Sequence, residues 1–190
     1  MQKHRNEGVK SQKLSIYDPY FCNGRVVNHL EGLGKFITVY NRKENCYDVW
    51  KDPSRYPLYD VFITNPPYSG SHFEKLMQHV TSNSKPWFLL MPTFVHKKDY
   101  FQRLTSENGQ QCIYLVPRKR YIYTPPPNFR RRKPSDTHKK SSPFVTMWYI
   151  YGGSKQITDE WYFLLRRQQS TKFDVARSKS ALRDLRRRHK

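Results

Sequence analysis

Residues 65–68, Asn-Pro-Pro-Tyr, are the segment of this sequence whose types and order are best suited to chemistry. They follow directly after residues 60–64, an apolar run that predicts a strand. Two consecutive prolines restrict the backbone and remove two N–H donors. The loop therefore offers carbonyl acceptors, one side-chain amide and an aromatic ring, which together predict a site that holds a planar amino group.

An exocyclic amine such as that of adenine is a weak nucleophile, because its lone pair is delocalised into the ring. The side-chain oxygen of Asn65 and the carbonyl of Pro66 could accept hydrogen bonds from both N–H groups and draw that lone pair toward an electrophile. Tyr68 could stack on the base, a contact worth about 1–3 kcal/mol. Such a site would act by positioning and electrostatics, without a strong general base. The loop indicates the type of nitrogen and not the molecule that carries it.

A second unusual turn begins at Asp18-Pro19, after the predicted strand at residues 14–17, and runs to Asn23-Gly24. Both turns stand at predicted carboxyl ends of strands. In open α/β sheets, ligands bind outside those ends. The two turns therefore predict one functional edge.

The elements that must position these turns alternate between strand and helix patterns along the chain. This order predicts a single-domain, Rossmann-like α/β fold with a mostly parallel sheet and helices on both faces. The strand at residues 143–151 follows a long loop, and we expect it to be inserted antiparallel, which makes the sheet mixed. Ser71 with Glu74 predicts a capping box for a helix. The apolar side that this helix buries consists of Phe73, Leu76, Met77 and Val80.

The charge divides the chain into three parts. The net charge is +20, of which nineteen lie in residues 1–13, 118–140 and 166–190. We therefore predict a disordered basic arm at 1–13, an α/β domain at 14–165 with a basic loop at 117–142, and a basic tail at 166–190 that is in part helical.

Such a surplus of positive charge indicates a polyanion as partner, most often nucleic acid. Basic residues interleaved with aromatic residues favour phosphate contacts and stacking on unpaired nucleobases. A disordered basic linker remains an alternative for the loop, and a nuclear-import signal for the tail. The candidate contact residues are Arg118, Lys119, Arg120, Tyr121, Arg130, Arg131, Arg132, Lys133, Arg186, Arg187 and Arg188.

Several classes of protein are not expected. No apolar run approaches the roughly 18 residues of a membrane span, and residues 1–13 have no apolar segment typical of a secretory signal. The three cysteines, Cys22, Cys46 and Cys112, and the seven histidines lack metal-ligand spacing, so we expect no metal. A reducing compartment, nuclear or cytoplasmic, is the expected location.

Residues 65–68 after a strand resemble the signature loop of class I S-adenosylmethionine-dependent amino-methyltransferases, of which the N6-adenine enzymes are the best-known members. Residues 18–24, Asp-Pro-Tyr-Phe-Cys-Asn-Gly, resemble the cofactor loop of that family, commonly Asp-Pro-Phe-x-Gly-x-Gly. The cofactor loop also precedes the Asn-Pro-Pro-Tyr loop in the family. The resemblance covers roughly residues 14–151.

The resemblance implies S-adenosylmethionine as cofactor, with Asp18, Asn23 and Gly24 lining its site. The family usually has an acidic residue for the ribose hydroxyls at the end of its second strand. Here Asn41 has that place, with Glu44 and Asp48 as nearby acidic substitutes.

This sequence departs from the family pattern in three ways. The cofactor loop has one glycine, residues 41–59 are short for the usual helix-strand-helix, and we expect no separate target-recognition domain within this sequence. The last departure leaves room for a protein partner that supplies target recognition.

The expected activity is therefore N-methylation of the N6 amino group of adenine in nucleic acid. RNA is preferred over DNA, because a structured RNA with an accessible adenine needs no base-flipping domain. Methylation of N2 of guanine or of a protein glutamine remains an alternative. So does a catalytically silent, methyltransferase-like module that only binds RNA.

Overall fold

Seven strands form one sheet at the centre of this protein. The computed structural model describes residues 13–34, 37–122, 144–168 and 170–188. Residues 1–12 of the predicted arm and most of the basic loop, including Arg130, Arg131, Arg132 and Lys133, lie outside these ranges. The strands are β1 (Leu14–Tyr17), β2 (Ile37–Tyr40), β3 (Val61–Thr64), β4 (Trp87–Pro92), β5 (Ile113–Pro117), β6 (Thr146–Tyr151) and β7 (Phe173–Ala176).

The strand order β2-β1-β3-β4-β6-β5-β7 confirms the predicted mixed α/β sheet. β1 pairs in parallel with β2 and β3, and β3 with β4. β6 is inserted antiparallel between β4 and β5, as expected for a strand that returns from a long loop. The parallel strands end at one edge, called the carboxyl edge below.

Helices cover both faces of the sheet, as predicted. α3, α4 and α6 pack on the face that carries Phe62, Leu89 and Tyr149. On the opposite face, the ring of Phe88 lies 5.6 Å from that of Trp161 in α5. The helices are α1 (Arg25–Glu31), α2 (Cys46–Val49), α3 (His72–Thr81), α4 (Asp99–Glu107), α5 (Lys155–Arg167) and α6 (Lys179–Arg188).

α3 places the Asn-Pro-Pro-Tyr loop against the sheet. All four of its predicted apolar residues are buried, because they share one side of the helix. The predicted capping box is wrong: Ser71 is the N-cap residue, but its side chain caps no backbone N–H. The packing of that buried side, at about 1.5–3 kcal/mol for each large side chain, therefore holds α3 in place.

The C-terminal segment differs from the predicted tail. β7 pairs antiparallel with β5, and Leu182 of α6 is 4% exposed in the core. The domain thus extends beyond the predicted boundary at residue 165. β7 is difficult to predict because it has only four residues. In α6, the arginines of the exposed side obscured the apolar pattern of Ala181, Leu182 and Leu185.

Leu182→Ala tests whether α6 belongs to the folded domain. We expect it to lower the free energy of unfolding by about 2–5 kcal/mol, because it leaves a cavity under α6. Leu164→Ala is the matched control, since Leu164 on α5 is 58% exposed; its effect should stay within about 0.5 kcal/mol. Denaturant titration of both variants measures this. Equal, small losses would contradict the packing of α6.

Candidate active site

The two unusual turns of the sequence lie side by side at the carboxyl edge. Asp18 follows β1 and Asn65 follows β3, and these two strands are parallel neighbours. A single hydrogen bond joins the turns: the hydroxyl of Thr64, the last residue of β3, donates to Oδ1 of Asp18 at 2.6 Å. The predicted cofactor turn and the predicted amine-binding loop therefore form one site.

Asp18 is a buried carboxyl group at the centre of this site, with 6% of its surface exposed. Burial raises the pKa of Asp18 to about 6, because it penalises the charged form. Hydrogen bonds from the Thr64 hydroxyl and the backbone N–H of Tyr20 act in the opposite direction. Near neutral pH the site therefore holds a buried negative charge, which is suited to a cationic ligand.

Asn41, at the end of β2, holds the cofactor turn in place. Its Nδ2 donates to the carbonyl oxygens of Asp18 and Tyr20, at 3.0 and 3.2 Å. Both partners can only accept, so the nitrogen must face them and Oδ1 must point away. That Oδ1 is buried and has no hydrogen-bond partner in the structure. Such an orphaned acceptor is costly, and a ligand hydroxyl or amine could satisfy it.

A cavity of about 220 Å³ lies at the carboxyl ends of β1 and β2. The neighbours of Asp18 and Asn41 in the sequence line it, whereas Asp18 and Asn41 themselves do not. Glu44 contributes to its wall, and one carboxylate oxygen of Glu44 is 2.7 Å from Nη2 of Arg55. Asn23 and Gly24 lie instead in the turn that opens α1, and neither lines the cavity. Residues that line the cavity include Tyr17, Pro19, Tyr40, Arg42, Glu44 and Arg55.

Gly24 adopts a left-handed conformation, with φ of +67°. A Cβ atom there would lie 3.1 Å from the ring of Phe21. The side of Gly24 on which other residues carry a Cβ atom therefore faces the ring of Phe21.

The Asn-Pro-Pro-Tyr loop exposes Asn65 and buries Pro66. The hydroxyl of Tyr68 lies 2.6 Å from Oδ1 of Asn65, to which it donates, and 3.3 Å from the carbonyl of Leu90. The Tyr68 ring centroid is 5.7 Å from that of Phe73. The structure therefore gives Tyr68 a contact that the sequence did not predict, since its hydroxyl orients the amide that would hold the amine.

A chain of polar contacts connects the cofactor turn to α3. The hydroxyls of Tyr20 and Tyr47 are 3.2 Å apart, and the Tyr47 hydroxyl also bonds Nδ1 of His72 at the start of α3. Tyr47 belongs to α2, in the segment that is short for the family pattern. Residues 41–59 thus connect the turn after β1 to the start of α3.

The predicted nucleic-acid contacts have different surroundings. Arg118 forms two hydrogen bonds to Asp174, at 2.8 and 3.1 Å, so its guanidinium is already paired. The hydroxyl of Tyr121 accepts from Nε1 of Trp148. Lys119 and Arg120 are exposed after β5, and Arg186, Arg187 and Arg188 are exposed on α6.

The described part of the chain has neither a candidate metal site nor a candidate membrane-spanning helix. Among the described residues, no group of three or more histidine, cysteine or acidic side chains could hold a metal ion. None of the helices within those ranges is long and apolar enough to cross a membrane.

Comparisons with known proteins give a limited result. No protein-family model matches the chain, and no curated protein matches it. Nine chains of solved structure do match. The chain is similar to a putative methyltransferase from Thermoplasma acidophilum, with a TM-score of 0.40 and 12% identity over 76% of this chain and 70% of that chain.

Asp18→Asn tests the buried charge through the pH dependence of stability. The carboxyl titrates near pH 4 in the unfolded chain and near pH 6 when folded, so the wild type loses stability as pH rises through that window. The asparagine variant lacks this loss. We expect its free energy of unfolding to gain about 3 kcal/mol on the wild type between pH 4 and pH 7.

Thr64→Val is the companion variant, because it removes a hydroxyl that stabilises the charged form of Asp18. It should move the transition of Asp18 to higher pH. Denaturant titrations at a series of pH values measure both effects. A difference between wild type and Asp18→Asn that stays constant with pH would contradict the raised pKa.

Proposed function

We propose that this protein is an S-adenosylmethionine-dependent N-methyltransferase that acts on the N6 amino group of adenine in nucleic acid, with RNA preferred over DNA. The observation that carries the proposal is the hydrogen bond between Thr64 and Asp18. It joins a buried carboxylate beside a cavity to a loop of amine acceptors, and methyl transfer to an amine needs both parts within one site.

The residues at β1 and β2 fit the cofactor. Asp18 would lie near its positive charges, and Glu44 and the orphaned Oδ1 of Asn41 would accept hydrogen bonds from hydroxyl or amino groups. The cavity of about 220 Å³ is smaller than the roughly 300–1,000 Å³ of typical ligand pockets, so it suits the nucleoside part alone. When bound, S-adenosylmethionine would supply an electrophilic methyl group to the amino nitrogen, with the neutral thioether as the leaving group and the proton of the methylated nitrogen released to solvent.

The chain's own contribution to the reaction would be to hold the amino group. Oδ1 of Asn65 and the carbonyl of Pro66 would accept its two N–H groups, leaving the nitrogen lone pair directed out of the base plane. The hydroxyl of Tyr68 now donates to that Oδ1, and it could donate to the Leu90 carbonyl instead when the amine binds. Tyr68 would thus keep the Asn65 amide oriented before the substrate arrives.

The high positive charge supports nucleic acid over a protein glutamine as the substrate. Incubation with cofactor labelled in its methyl group, and with total RNA, DNA or protein, tests this directly. Digestion and mass spectrometry should find the label in N6-methyladenosine. Label in N2-methylguanosine or in glutamine would support an N-methyltransferase but would contradict adenine as its substrate.

Asn65→Ala tests the assigned mechanism. Loss of one acceptor that acts in the transition state should lower kcat by about 10²–10³-fold. Affinity for RNA, measured by fluorescence anisotropy, should remain nearly unchanged. Asn28→Ala, at an exposed position of α1, is the matched control and should keep wild-type activity. Methyl transfer at the wild-type rate in Asn65→Ala would refute the mechanism.

A catalytically silent RNA-binding module is the competing proposal. The ring of Phe21 against Gly24 favours it, because the glycine side that could approach a ligand is occupied by the protein. Calorimetry separates the two proposals. Absence of S-adenosylmethionine binding up to millimolar concentration would favour the silent module.

A further inference from the structure

Basic residues from distant parts of the chain converge at the carboxyl edge beyond β4. Lys97 and Lys98 follow β4, and Lys172 precedes β7. The backbone N–H of Arg118 donates to the Lys172 carbonyl at 3.0 Å, which places Lys172 beside the end of β5. We call Lys97, Lys98, Lys172 and Arg186 the basic rim.

α6 brings its arginines to the same place. The Nζ of Lys179, at its start, lies 2.6 Å from Oε1 of Gln102 in α4. Burial lowers the pKa of His96, and the charges of Arg186, Lys97 and Lys179 lower it further, which is consistent with α6 packing near this end of β4. Because Leu182 is anchored in the core, the arginines of α6 belong to a folded surface.

Acidic residues do not neutralise this surface. Asp174 is engaged by Arg118, so this pair adds no net charge. α4 carries two acidic residues and one basic residue, and α6 carries one acidic and five basic residues, so the two helices together have six basic residues against three acidic ones. The rim therefore keeps a positive field, which attracts phosphates.

An aromatic path leads from the rim to the Asn65 loop. Phe94 follows β4 and is 40% exposed, and Nζ of Lys98 lies 5.9 Å from its ring centroid. The Phe94 ring is 6.4 Å from that of Phe73, which in turn contacts Tyr68. An exposed aromatic face beside basic residues is typical of surfaces on which unpaired nucleobases stack.

We propose that the basic rim and Phe94 bind a single-stranded stretch of nucleic acid and lead it to the Asn65 loop. The phosphates lie on the rim, and a base next to the target stacks on Phe94. The extension β7–α6 thus supplies substrate contacts. The identity of the base that enters the site rests on the proposed function, whereas binding itself does not.

A single strand suits this surface better than a duplex. A base within a duplex is stacked and paired, so it can neither stack on Phe94 nor reach Asn65 without being extruded. RNA and DNA strands share the phosphodiester backbone and unpaired bases that the rim would recognise. The binding assay therefore compares the affinity of the protein for an RNA strand and for a DNA strand. The proposed function predicts tighter binding of RNA.

Fluorescence anisotropy with a labelled oligouridine that contains one adenosine tests the proposal, without cofactor. The double variant Lys97→Ala/Arg186→Ala should weaken binding and lower the slope of log K against log salt by about 1.4, because two phosphates are no longer neutralised. Lys43→Ala/Lys51→Ala removes equal charge from exposed positions outside the rim and outside the basic segments, and should keep the wild-type slope. Equal slopes for the two double variants would overturn the rim as the binding surface.

Phe94→Ala tests the stacking contact. It should weaken single-strand binding by about 5- to 100-fold and leave binding of the matched duplex unchanged. Phe163→Ala, at a position 61% exposed on α5, is the control and should bind as the wild type. Equal losses for single strand and duplex would overturn the stacking.

Further arms of the assay separate this proposal from others. Binding of polyglutamate as tight as that of RNA would overturn nucleic acid as the partner. Single-strand binding that depends on the rim, with no methyl transfer in the labelled-cofactor assay, would refute the proposed function and leave the surface intact.

Discussion

The hydrogen bond from Thr64 to Asp18 is the interaction on which the account of this site depends. It joins the end of β3 to the turn after β1, so it sets the distance between the buried carboxylate and the Asn65 loop. Neither turn would define a reaction alone. Burial of the Asp18 charge lowers the stability of the folded protein, which is common at functional sites where a charged group binds a ligand.

The positive charge has a more definite place in the structure than in the sequence. The sequence suggested a nearly neutral body with basic appendages, but residues 173–176 complete the sheet and α6 packs on its face. Arg118 is paired with Asp174, whereas Lys97 and Arg186 are exposed and their charges act on the buried His96. Position within the fold, and not the total charge, separates structural bases from those free to meet phosphates.

Local signals in the sequence sufficed for the strand before Asn65, the buried side of α3 and the inverted β6. They could not show that Thr64 bonds Asp18, since these residues are 46 positions apart and meet only when β1 pairs with β3. Asn41 was predicted to face the cofactor, but half of its amide holds the neighbouring turn. Side-chain orientation depends on such non-local partners, which composition and spacing do not encode.

The affinity for S-adenosylmethionine as a function of pH tests the central claim most directly. If the charged form of Asp18 faces the cofactor's positive charges, calorimetry should give a constant Kd above about pH 7. Because its pKa is about 6, Kd should be weaker by about tenfold at pH 5. Binding that is independent of pH, or no binding up to millimolar cofactor, would contradict the account.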